Sequence, residues 1–217
     1  MGKAAFEEEI PFLSQPVPVA AVLCRTEHGN LHAGLLHRSK DGTARVLHLG
    51  WQDRLSCDWP WPRLWAAPEV EPECLRAVAA LCRLIWKNYE TDRLFPYAIK
   101  WAGSHFDSSG KLQLGDGARG LTCATFLLAV FQSFGITLVR EETWPVRPEE
   151  DRAFLATLQR FATPEHLALL RRELDNGCRR IHPHEVLGAC ACHPIPAAFP
   201  PVQKAAAWIL DRLDRVL

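Results

Sequence analysis

The segment Leu121–Phe134 reads Leu-Thr-Cys-Ala-Thr-Phe-Leu-Leu-Ala-Val-Phe-Gln-Ser-Phe, and Gly135 follows it. A glycine just past an apolar run is a common helix stop, because it enters the left-handed region without steric cost. A helix that is apolar nearly all round offers no face to water, so this one is predicted to lie at the centre of the core. With 217 residues, 48% of them hydrophobic, the chain has material for a core of that size. The rest of the fold has to be arranged around this helix.

Three short strands are predicted ahead of it, over Val17–Arg25, Leu31–Arg38 and Ala44–Leu49. They are joined by Glu27-His28-Gly29-Asn30 and Ser39-Lys40-Asp41-Gly42, which carry turn chemistry and make the group a β-meander. Residues 1–16 read as an irregular leader. Trp51–Pro68, with four tryptophans and three prolines, reads as a loop. Leu75, Val78, Ala79, Cys82, Ile85 and Trp86 recur at helical spacing over Glu71–Glu90, with Pro72 in the first turn. Leu94–Trp101 is a further expected strand, and Ser104–Gly120 a loop. Beyond the central helix the pattern is helical: Pro148–Phe161, Pro164–Asn176, a short helix near Glu185–Cys190, and Pro201–Leu217. The expected architecture is α+β, a small antiparallel sheet packed on a central helix. A leader at 1–16, a catalytic unit at 17–145 and a helical extension at 146–217 on the same core make up the chain.

Charge narrows the function. There are 25 basic and 25 acidic residues, without the basic excess of a nucleic-acid binder. No signal-peptide pattern and no apolar run of the roughly 20 residues needed to span a bilayer are found, so a cytoplasmic protein without integral membrane association is expected. Eight cysteines without a regular framework are expected to be mostly reduced core residues.

Cys123 is placed differently from the other seven. It opens the central helix after Gly117-Ala-Arg-Gly120. Free amides and the positive helix end favour a thiolate there, and the same amides can hold an oxyanion. A small residue at the start of a core helix is the structural alternative. A thiol nucleophile needs a histidine, and His32 and His48 stand on neighbouring strands of one hairpin. One ring can take the proton while the other fixes its tautomer.

His32-Ala33-Gly34-Leu35, Val46-Leu47-His48-Leu49 and Thr122-Cys123-Ala124-Thr125-Phe126 together resemble the circularly permuted papain-like fold. That group is the NlpC/P60 superfamily branch of lecithin:retinol acyltransferase-like proteins and related bacterial cysteine hydrolases. The resemblance spans about residues 17–135. It implies Cys123 as nucleophile, His32 as general base and acid, and His48 as the polar orienter. Sixteen residues separate the two histidines, a longer hairpin than that branch has, and Cys123 lacks its Asn-Cys-Glu-His context. The catalytic scaffold therefore transfers better than the substrate.

The expected function is hydrolysis of an amide, ester or thioester through a thioester at Cys123, on a peptide-like, lipid or other acyl substrate. The alternatives are an acyltransferase using the same site and an inactive papain-like interaction module. No cofactor is expected. His182, His184, Cys190, Cys192 and His193 are dense in soft ligands but match no standard zinc spacing, so no metal is assigned to them. His105 is a candidate substrate contact, and Asp116 a candidate orienter in place of His48.

Overall fold

Alternation along the first strands builds the sheet. The computed structural model describes residues 17–50, 54–58, 64–91, 95–160 and 162–215, so the leader at 1–16 lies outside the described residues. Strands β1 (Val19–Arg25), β2 (Leu31–Arg38) and β3 (Ala44–Leu49) form the predicted meander, each antiparallel to the next. Two more strands, β4 (Leu55–Asp58) and β5 (Leu64–Ala66), complete a five-stranded sheet in the order β4-β3-β2-β1-β5. Register sets Leu23 against Ala33, Ala21 against Leu35 and Leu35 against Leu47. These side chains point into the main core, while Ala20, Val22, Leu36, Val46 and Trp65 form a smaller cluster on the other face.

Helix α1 (Pro72–Tyr89) lays its apolar stripe on the main face. After it come a two-stranded ribbon, β6 (His105–Phe106) with β7 (Leu112–Gln113), and then α2 (Cys123–Gln132). Every residue of α2 from Cys123 to Phe131 is buried, as its composition requires. Helices α3 (Pro148–Leu158), α4 (Pro164–Asp175), α5 (Pro183–Ala191) and α6 (Phe199–Arg215) follow. Leu155, Leu170, Val186 and Ile209 join the same core cluster as the sheet and α2. The fold class is α+β.

Three expectations need correction. Ser104–Gly120, read as a loop, holds the β6–β7 ribbon, closed by the turn at Asp107–Gly110. Residues 95–101 are irregular rather than a strand, and Leu94 lies outside the described residues. Pro96 has no N–H to give a ladder, its carbonyl accepts from Leu121 N at 3.0 Å, and the Ile99 amide donates to Glu173 Oε2 at 2.8 Å. The backbone of this segment is therefore satisfied by neighbours other than a strand. The tryptophan-rich stretch, read as loop, contributes β4 and β5; Trp65 is buried in β5, and Trp51, Trp59 and Trp61 lie outside the described residues.

Candidate active site

The start of α2 is fixed by the two threonines that flank its first turn. Thr122 caps the helix, accepting from Thr125 N at 3.1 Å, while the Thr122 amide donates to Thr125 Oγ1 at 2.7 Å. This reciprocal pair satisfies two amide groups of the helix end and is worth about 1 kcal/mol. Cys123 is thereby held as the first helical residue. The backbone amides of Ala33, Ala124 and Cys123 itself act on its thiol in favour of the thiolate.

Ala33 belongs to the part of β2 that pairs on one side only. The β2–β3 ladder runs from Leu35↔Leu47 to Arg38↔Ala44, so residues 31–34 pair with β1 alone. There the N-terminus of α2 reaches the sheet. Gly120 is required for that approach, since a Cβ on it would lie 2.3 Å from the Pro96 carbonyl oxygen.

The neighbouring residue carries the imidazole. His32 Nε2 and His48 Nδ1 are 2.9 Å apart, with the rings edge to face, and His48 Nε2 is 2.7 Å from Asp58 Oδ2. Gly34 makes room: a Cβ there would fall 2.5 Å from Val46 Cγ1 and 3.1 Å from His48 Cβ. The carboxylate sets the tautomers. Asp58 can only accept, so His48 donates from Nε2 and accepts at Nδ1. His32 then donates from Nε2, which makes Nδ1 its basic nitrogen.

His32 and Cys123 both line a cavity of about 790 Å³. Its walls are the β1–β2 turn, Gly50 and Arg54, the start of α2 with Tyr97, one face of α3 (Ala153, Phe154, Thr157, Leu158), and Arg180–His184. The structure thus joins His32 to His48 directly. It brings Cys123 to the backbone amide of Ala33, the residue after His32, and both His32 and Cys123 open on the same space.

Burial dominates the electrostatics. It pushes the Cys123 thiol above its ordinary value, against the pull of the three amides and of Arg180. It lowers His32 to about 3, helped by the neighbouring His48 charge, and lowers His48 against the opposing effect of Asp58. The thiolate expected from the helix end is therefore not the resting form. The amides are where the sequence put them, but desolvation outweighs them, and the resting pair is a neutral thiol and a neutral imidazole.

Asp58 escaped the sequence reading because it sits in the tryptophan-rich stretch; only the β3–β4 register, with Val46 opposite Asp58, brings it to His48. His105 and Asp116 are not among the residues lining the cavity. His193 lies near Glu69 at 3.6 Å, and Cys190 is buried in α5. His182 and His184 do face the cavity. Among the described residues no helix is long and apolar enough to cross a membrane. The chain matches no protein-family model, no curated protein and no solved structure.

Proposed function

We propose that the protein is a cysteine-nucleophile hydrolase that cleaves an amide, ester or thioester through a thioester on Cys123. The observation that carries this reading is the hydrogen-bonded series Asp58–His48–His32, ending at a cavity that also holds Cys123 at a helix start. A structural cysteine needs no such series, and core packing does not call for two imidazoles and a carboxylate in line.

The chemistry runs through general-base catalysis, because the resting pair is neutral. As the sulfur attacks the acyl carbon, the thiol proton passes to His32 Nδ1. The imidazolium so formed donates from Nε2 to His48, whose own Nε2–H is held by Asp58. The tetrahedral oxyanion is stabilised by amides at the start of α2. Its collapse breaks the bond to the leaving group, which takes the proton from His32. Water then attacks the thioester with His32 again as base, releasing the acid and restoring the thiol. His48 and Asp58 are positioning residues: they hold the ring and its tautomer.

Acceptor choice separates hydrolase from acyltransferase, since an amine or alcohol entering the cavity in place of water would take the acyl group. Turnover of a p-nitrophenyl ester tests the proposal. The wild-type protein is expected to release p-nitrophenol continuously and C123A to fall to background, with both folded by circular dichroism. Equal rates in the two proteins would remove Cys123 from the chemistry.

A further inference from the structure

A second pair of histidines lines the same cavity, at the start of α5. His182 and His184 flank Pro183, with ring centroids 5.3 Å apart. Nε2 of His182 and Nδ1 of His184 are both buried and have no hydrogen-bond partner. A buried imidazole nitrogen without a partner costs free energy, so two of them side by side call for a shared occupant. One ring nitrogen of each histidine and an oxygen of Glu185 lie within 4.8 Å of one another.

Glu185 is a poor member of that set. Its Oε1 accepts from Arg147 Nη1 at 2.6 Å, and its Oε2 accepts from Trp144 Nε1, Arg147 Nη2 and the His182 amide at 3.0, 3.1 and 2.7 Å. Those donors occupy the lone pairs and bring a guanidinium with them. Glu150 fits better. Its Oε2 stands 3.5 Å from His182 Nε2 and farther, at 3.9 Å, from Arg147 Nε, and the carboxylate is half exposed on the cavity wall. Two ligands of a tetrahedral ion with bonds of about 2.1 Å are about 3.4 Å apart, so this pair already has the spacing of an ion's coordination edge.

We propose that His182, His184 and Glu150 form a binding site for a divalent transition metal of the zinc type, on the wall of the Cys123 cavity. Imidazole nitrogen and carboxylate oxygen are donors that such an ion accepts. His184 supplies the third ligand, one of its ring nitrogens lying within 4.8 Å of one of His182's, and a fourth position is left for water or for a group of whatever fills the cavity. The surrounding charge permits a cation. Arg147 is paired with Glu185 at 2.6 Å, Arg180 with Asp151 at 2.9 Å and Arg25, which also acts on His184, with Asp214, so that together with Glu150 the carboxylates outnumber the guanidiniums four to three. The site is independent of the hydrolase reading, because none of its ligands takes part in that chemistry.

Zinc chloride titrated into chelator-treated, full-length protein against a chromophoric chelator tests the site. One equivalent is expected to bind, with H182Q and H184Q each weakening it by more than about a hundredfold and E150Q by about tenfold. E150Q changes a half-exposed group and keeps the fold, so the test survives if a histidine variant fails to fold. Cobalt substitution separates the alternative donors, the free cysteines. A visible spectrum of nitrogen and oxygen ligation supports the site. A thiolate charge-transfer band, binding unchanged in E150Q, or no bound equivalent would overturn it.

Discussion

Two pairs of histidines, one reaching the cavity through His32 and the other through both of its rings, are built from the same side chain and used in opposite ways. His32 and His48 sit 4.9 Å apart at 86°, His182 and His184 5.3 Å apart at 63°, both edge to face. In the first pair a nitrogen of one ring bonds a nitrogen of the other, and a carboxylate fixes the direction of donation. In the second, buried nitrogens are left without partners. The difference lies in the backbone. The first pair stands on neighbouring strands just beyond the end of their ladder, where the two rings meet edge to face. The second stands two residues apart around a proline at a helix start, where the rings splay. A pair wired in series can move a proton; a pair with unused lone pairs can receive a ligand. Neighbouring histidines alone do not say which.

Substitutions in the wired pair should break this contrast in a fixed order. The largest effect after loss of the nucleophile is expected from H32N, a fall of about 10²–10⁴ in kcat with KM little changed, since only the transition state uses the proton transfer. A rate within threefold of wild type would mean that another base acts. H48A leaves His32 in place but frees its tautomer, and a loss of roughly 10- to 100-fold is expected by the same assay. D58N comes next. Asp58 is 55% exposed, so solvent screens its charge, and Asn can still accept from His48. A drop of about threefold to tenfold in kcat is expected, restored by D58E, with KM unmoved; a change in KM alone would mark Asp58 as a substrate contact.

Acid sensitivity sharpens the picture through stability. Burial lowers His32 to about 3 and His37 to about 4, so the folded state resists protonation that the unfolded chain accepts near 6.5. Stability from these groups is fully present above pH 6.5. It falls as pH drops from 6.5 towards 3, because the unfolded state then binds more protons. Urea denaturation should record a loss of several kcal/mol in all, at about 1.4 kcal/mol per unit for each group, and H37Q should flatten the slope. A flat wild-type profile over that range would contradict the burial argument. Below about 4 the kcat/KM profile should turn down with His32, with no limb near 6.5.

Much of this was legible in the sequence, because it was written locally. The run from Cys123 to Phe131 dictated a buried helix, and the turn chemistry at Gly29 and Gly42 set β1–β3 side by side, which places His32 and His48 on neighbouring strands. What was not legible depended on distant partners. Asp58 gains meaning only when Leu55–Asp58 pairs with β3. Leu94–Trp101 looks like a strand until Glu173, more than seventy residues away, takes the Ile99 amide. The helix start of Cys123 was visible, but the desolvation that reverses its effect comes from the whole packed core. Likewise the partners that occupy Glu185 and leave His182 to Glu150 come from Trp144 and Arg147.

The central claim is that the acyl group passes through Cys123 with His32 as its base. Acid quenching of the protein during turnover of a p-nitrophenyl ester, followed by peptide mapping, tests it most directly. An acyl adduct is expected on the peptide holding Cys123, absent from the peptides holding the other seven cysteines, and formed far more slowly in H32N. Acylation spread over exposed and buried cysteines alike, or formed at Cys123 at the same rate in H32N, would contradict it.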